Sequence, residues 1–328
     1  MWPSRRISTP RGGVTSGDRR SMTAKASRPS RRNTAMAPAL MLGQICSLQA
    51  GSAVAKEAYA TVGPTGLAGM RLAFSAAILW LLVRPRLRGI AARQWRAAIS
   101  LGVVFAAMNL AYFQALGHLP IGVAATLELL GPLALSIAAS RRLEHLAAAL
   151  LALGGVLLLA TPGSLPMSGI LLGVAAALCR AGYVLSNQRV GRLFSDWTGL
   201  ALALACGACV LTPVAAIVDG EDVAAHPASL GTGFTVALLS SLVPYSLDMT
   251  LLRRIDIRAF GVLLALSPAV GAGIGFAVLH EQLTARQLCA IALVVLAGAW
   301  STRRPAPTSA PAHRSGVRAR GAGDRCDG

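Results

Sequence analysis

Apolar residues occupy the chain in long unbroken blocks, with neither helical nor alternating polar spacing. The blocks fall at about residues 36–55, 66–84, 97–116, 121–140, 145–161, 168–187, 198–218, 233–252, 259–279 and 286–301. Each comes near the roughly 20 residues that cross about 30 Å of hydrocarbon as a helix. None shows the polar stripe that a soluble helix turns to water. Gly63-Pro64, Pro85, Pro120 and Thr161-Pro162-Gly163 punctuate their ends, and such short connections make neighbouring helices antiparallel. The pattern predicts an all-α integral membrane protein with ten transmembrane helices.

Charge adds a direction. Connections after the even-numbered blocks hold twelve basic residues: Arg84, Arg86, Arg88, Arg93, Arg96, Arg141, Arg142, Arg189, Arg192, Arg253, Arg254 and Arg258. Those after the odd-numbered blocks hold only Lys56 and Arg286, together with Asp219, Glu221 and Asp222. Lys and Arg mark the cytoplasmic side of a membrane protein, so both termini are expected there. The tails are basic as well, with nine Lys or Arg in residues 1–35 and six in 302–328. Their Ser, Arg, Pro and Gly content predicts disorder. The late start of the membrane part predicts translation from Met22 or Met36; a native protein with an intact Met1 terminus in a mass spectrum would refute that. Net charge is +18, but its place at the flanks argues for orientation and against a nucleic-acid partner.

The second half echoes the first. With Pro132 placed on Pro268, PIGVAATLELLGPLAL lies over DIRAFGVLLALSPAVG, and LAAALLALGGVLLL resembles LCAIALVVLAGAW after a short gap. Five blocks per half force the second half to sit upside down. This predicts two inverted five-helix repeats, residues 36–161 and 168–301, with a site near the bilayer midplane between them.

Candidate chemistry starts with Glu128, the one charge in the fourth block. An ionised carboxylate there costs several kcal/mol unless it meets water or a partner. Burial favours its protonated form and a nearby cation its ionised form, so a site that alternates between these conditions takes up and releases a proton. Pro132 lies four residues on and removes a helical donor to the Glu128 carbonyl, which predicts a helix break with two acceptors on one face. Arg71 is a second intramembrane charge. Its fork suits a substrate carboxylate, pairing with Glu128, or snorkelling to the interface. In the eighth block Ser241, Pro244, Tyr245 and Asp248 share a helical face, and Pro244 frees the Ser240 carbonyl. In the repeat register Tyr245 lies over Asn109 and Asp248 over Tyr112, so both faces are candidates to line one cavity. A pair of Asp248 with Arg253 or Arg254 is the alternative. Pro268 is the third helix-break candidate. Gln49 is a further substrate candidate, and Gln44, Tyr183, Asn187 and Gln188 are weaker ones. Glu281, at the outer end of the ninth block, reads as a solvated loop residue.

Other classes fit poorly. The five His are scattered and none is mid-block, so the clustered acid–base or metal set of a membrane enzyme is missing. Cys206-Gly-Ala-Cys209 is a lone pair inside an apolar block and reads as small apolar filling. There is no G-x-x-x-x-G-K-[ST] motif for nucleotide-driven transport and no channel filter sequence. No metal, cofactor or catalytic residue is expected.

SLQAGSAVAK, GMRLAF, AMNLAYFQAL, LELLGPLALSIAASRR, LVPYSLDMTLLRR, FGVLLALSPAV and LHEQLTARQL together resemble the EamA-type drug/metabolite transporters, over roughly residues 36–303. The first, fourth and fifth stretches are closest to the amino-acid exporter subgroup. The resemblance implies a secondary transporter of the bacterial inner membrane that exports small, threonine/homoserine-like amino acids, and the proton exchange expected at Glu128 makes proton antiport with alternating access its expected mode. Its implied partners are the substrate, protons and the bilayer. Leu129 and Leu130 stand where relatives carry an aromatic–hydroxyl pair, and Asp248 where they carry Glu. Both departures bear on which cargo fits, and export of another metabolite or drug on the same fold is the alternative.

Overall fold

The computed structural model describes residues 31–138, 143–159, 165–194, 196–244, 247 and 264–301. Among these residues the regular elements are helices: α1 Arg31–Glu57, α2 Pro64–Val83, α3 Ala92–His118, α4 Ile121–Ala138, α5 Leu143–Leu159, α6 Met167–Leu193, α7 Thr198–Ala225, α8 Ser229–Ala237, α9 Ser267–Leu279 and α10 Ala285–Ser301, with a 3-10 turn at Ala58–Ala60. A π-helical turn, Leu238–Leu242, extends α8. By length and apolarity alone α2, α3, α6 and α7 are able to cross a bilayer. Shorter apolar helices lie at Ile121–Leu135, Leu150–Leu159, Ser229–Leu242, Ser267–Leu279 and Ala285–Trp300. Ile217 is 84% exposed, Leu178 71% and Leu81 70%. Such outward-facing aliphatic residues suit a hydrocarbon solvent and would be a liability in water.

Proline starts helices here more than it stops them. Pro64 follows Gly63 at the first positions of α2 and Pro268 sits likewise in α9, where a missing N–H costs nothing. Two turn residues, Ala265 and Leu266, precede α9, so the ninth apolar block is interrupted at Pro268. The fourth is not: α4 runs through Pro132 to Ala138. This corrects the expected break there; loss of one hydrogen bond is tolerated where neighbouring helices support the segment.

Packing follows small residues. α3 lies against α6 and α7; α2 against α7, α3 and α8; α4 against α6, α9 and α10; α5 against α10; and α1 against α8, the π turn and α9. A Cβ on Gly102 would meet the Ala203 carbonyl, and one on Gly207 would meet the Gly102 carbonyl. Only glycine lets the α3 and α7 backbones approach this closely. The main core fills the spaces between these helices, with Phe105, Phe113, Leu67, Leu101, Leu116 and Leu127 fully enclosed.

Candidate functional site

Close approach of α4 and α6 brings two charges together. Gly131 faces the backbone of Ala177, and Gly173 faces Leu127. A side chain at either glycine would push the helices apart. On the face so formed, Arg180 Nη1 lies 3.3 Å from Glu128 Oε1. The two side chains keep 25% and 16% of their surface accessible, so the pair is inside the bundle without being sealed. The Arg180 guanidinium also sits 5.5 Å from the centre of the Tyr183 ring, and Nη1 is 4.0 Å from Met108 Sδ.

α3 supplies the next wall. Phe105, Asn109 and Tyr112 fall on one helical face. Phe105 packs on Tyr183 with ring centroids 5.0 Å apart. Tyr112 is buried, its hydroxyl 3.5 Å from Ser52 Oγ of α1, and it lies in the fields of Glu128, Arg71 and Arg180. Asn109 is buried and its Nδ2 donates to the Phe105 carbonyl at 2.8 Å. That bond fixes the amide orientation and leaves Oδ1 without a donor among the described residues. A buried acceptor left unmatched costs about 1–3 kcal/mol. Gln49 is also buried, with Nε2 donating to the Ser267 carbonyl of α9 at 3.3 Å.

Arg71 is enclosed and does not snorkel: only 8% of it is accessible. Nη2 donates to the Ser240 carbonyl at 2.8 Å and Nε to Ser241 Oγ at 3.2 Å. The guanidinium carbon lies 5.4 Å from the Phe113 ring centre. The Ser240 carbonyl is the acceptor four residues before Pro244, and it lies in the π turn. The turn bonds five residues apart, Val243 N–H to the Leu238 carbonyl, so Pro244 withholds its donor from Leu239 and not from Ser240 as expected; the Leu239 carbonyl accepts from Ser47 Oγ at 2.7 Å instead. π turns inside helices are common at functional sites.

A cavity of about 470 Å³ reaches Ser241 from the arginine-bearing ends of the helices. Ser75, Leu79, Val83, Asp196, Trp197 and Leu242 are among its lining residues. The opposite ends are tied down. Lys56 Nζ lies 2.7 Å from Glu281 Oε1 and donates to the Leu119 carbonyl at 2.6 Å. Glu281 Oε2 accepts from Ile121 N at 2.9 Å, at the first residue of α4. Only 11% of the Glu281 side chain is accessible, which corrects its reading as a solvated loop residue. Asp219 of α7 is similar: it is buried and accepts from Gly66 N of α2 at 2.6 Å.

Of the residues singled out from the sequence, Glu128 pairs with Arg180, Tyr112 lies within the field of both, Asn109 is buried one turn before Tyr112 on α3, Arg71 holds the π turn, and Gln49 of α1 bonds to the start of α9. Tyr245 and Asp248 lie outside the described residues. The ion-pair partner of Glu128 is Arg180, not Arg71. Sequence reasoning passed over Arg180, although the signal was present: it is a charge inside the sixth apolar block, as unusual there as Glu128 in the fourth. Among the described residues no three of His, Cys, Asp and Glu stand together as a metal site requires.

These features define an all-helical membrane protein with charged groups converging inside the bundle. The EamA-like transporter family matches residues 167–303. The threonine/homoserine exporter RhtA of Escherichia coli strain K12 is 33% identical over 267 residues, 80% of this chain and 90% of the exporter. That of Salmonella typhimurium strain LT2 is 32% identical over the same shares. The chain belongs to the EamA-like transporter family, as its motifs led us to expect. A solved crystal structure with 20% sequence identity superimposes with a TM-score of 0.51, covering 83% of this chain and 97% of its own; it shares the fold.

Proposed function

We propose that the protein is a secondary transporter that exports small amino acids of the threonine/homoserine kind across the bacterial inner membrane, in exchange for protons. The exporters it resembles carry that substrate class in their names. The observation that carries the reading is the Glu128–Arg180 pair. A zwitterionic amino acid bears the same two charges at similar separation. On entry its carboxylate takes the Arg180 fork and its ammonium takes Glu128, so one internal ion pair becomes two intermolecular ones with no charge left unmatched. A proton on Glu128 removes the ammonium's partner. Proton and substrate therefore compete for one carboxylate, which is what antiport requires. The clamp role first considered for Arg71 passes to Arg180, and Arg71 holds the α8 π turn against α2.

Helix contacts support two inverted five-helix repeats. Exchanging α1 to α5 with α6 to α10 maps α3–α6 onto α8–α1, α3–α7 onto α8–α2, and α4–α6 onto α9–α1, and all six contacts occur. The pairs α2–α7, α4–α9 and α5–α10 map onto themselves. With the arginine-bearing ends in the cytoplasm, the 470 Å³ cavity opens inward and the Lys56–Glu281 tie closes the outer side.

Efflux of a labelled amino-acid panel from proteoliposomes with an imposed pH gradient tests this. Threonine or homoserine efflux should rise with acid on the receiving side. Efflux indifferent to the gradient sinks the proton coupling, and a panel with no exported amino acid sinks the substrate class. The apolar lining of the cavity, Leu79, Val83, Trp197 and Leu242, favours a second reading, export of a more apolar small metabolite, and the panel should include aliphatic amino acids.

A further inference from the structure

We propose that the arginine-bearing ends of α3 and α6 form a binding site for the phosphate group of an anionic lipid. A cavity of about 410 Å³ lies between them, lined by Arg93, Arg96 and Ser100 of α3 and by Leu185, Ser186 and Arg189 of α6. Three arginines and two serines line it, and no acidic residue does. The ion pairs among the described residues are Lys56–Glu281 and Arg180–Glu128, so none of the three arginines is neutralised by a carboxylate.

Orientation signalling accounts for basic residues at this face, but not for where these three stand. Arg93 and Arg96 occupy the first two turns of α3, which has no acidic residue in its first turn. There the helix dipole is positive and repels cations, and the three like charges repel one another. A bound anion relieves both. Phosphate oxygens suit Arg forks and hydroxyl donors together.

The surface beneath the cavity selects a lipid over a free anion. One turn on from Ser100, Val103 is 48% exposed; two turns back from Leu185, which is itself 55% exposed, Leu178 is 71% exposed. These positions continue the same faces of the two packed helices. An acyl chain lying along them would hang from a phosphate held by the arginines. Basic pockets between membrane helices at the interface bind lipid head groups in this way.

Native mass spectrometry of the purified full-length protein, supplied with phosphatidylglycerol or phosphatidylcholine, tests the site. Wild type should retain phosphatidylglycerol in preference by about ten-fold, and Arg93→Gln/Arg96→Gln/Arg189→Gln should bring the preference close to unity. Arg189→Gln alone, at an exposed position, should give a partial loss should the triple variant fold poorly. Arg303→Gln/Arg304→Gln/Arg314→Gln removes the same charge elsewhere and should leave the preference intact. An equal loss in that control, or no preference in wild type, would overturn the proposal. Millimolar inorganic phosphate that displaces phosphatidylglycerol and raises Tm by itself would overturn the lipid assignment in favour of a soluble phosphate.

Discussion

A double-mutant cycle on Glu128 and Arg180 separates what the pair does for stability from what it does for transport. At 3.3 Å and an effective dielectric near 20 the direct attraction is about 5 kcal/mol. Desolvation of both groups offsets much of that. Removing one partner of a fully buried pair costs roughly 3–5 kcal/mol, chiefly from the stranded charge. Here neither side chain is fully enclosed, so Glu128→Gln or Arg180→Gln should each cost about 2 kcal/mol. The double variant strands nothing and should recover about 1–1.5 kcal/mol of the summed loss. Denaturant unfolding in mixed micelles reads these differences. Flux in proteoliposomes reads the other half: all three variants should lose gradient-driven export, including the double variant whose stability has returned. Additivity within about 0.3–0.5 kcal/mol would show that the two charges do not interact. A stable double variant exporting at the wild-type rate would make the pair purely structural, and the proposed coupling would fail with it.

Other consequences follow from the same geometry. Arg71→Lys keeps the charge but loses the fork that spans the Ser240 carbonyl and Ser241; it should cost about 1–2 kcal/mol, and an unchanged melting curve in micelles would contradict the anchoring role. Glu281→Ala leaves Lys56 unpaired and Ile121 N uncapped and should cost about 2–3 kcal/mol, whereas Glu281→Gln keeps the cap and should cost about half as much; equal Tm values for the two would refute the division. Gly131→Leu has no room against Ala177 and should cost more than about 3 kcal/mol; its yield of folded protein, compared with Gly43→Leu, where a Cβ meets nothing within 4 Å, checks this.

Much of the architecture was legible because its cause is local. Hydrocarbon thickness sets block length, and the described helices begin and end near the Gly and Pro residues that punctuate the sequence. Glu128 was legible as a cost without a visible compensation. Arg180 was legible in the same way, but its pairing with Glu128 was not, because which helices touch is decided by small residues that look alike in a chain with 34 glycines; Gly131 opposite Ala177 carries the meaning, and no periodicity marks it. Pro132 misled for the opposite reason. Its local effect is real, but α4 is gripped by α6, α9 and α10 and continues through it. At Pro244 a freed carbonyl was expected at Ser240, but the π turn shifts it to Leu239; neither that shift nor the bond Ser240 accepts from Arg71, 169 residues away, is marked in the sequence.

The two carboxylates at the helix ends opposite the arginines bear on how such a molecule opens under the proposed orientation. Asp219, late in α7, caps the start of α2, and Glu281, just past α9, caps the start of α4. In the repeat reading these are corresponding helices, each acid reaching from the second half to the matching helix of the first. A helix N-terminus leaves backbone donors unmatched, so separating either pair exposes N–H groups as well as a carboxylate. The two ties are not equal. Asp219 is packed among Gly63, Gly66 and Val62, where a departing carboxylate would leave a crowded apolar seam. Glu281 instead faces Lys56, which is 22% accessible, and water can replace its partners as they part. Under the proposed exchange the outer side therefore opens where α1 meets α4 and the α9–α10 connection, while α2 and α7 move as one body. On that proposal the movement carries α1, with Ser52 and Gln49, away from Tyr112 and α9, and so opens a path beside the charges assigned to the substrate.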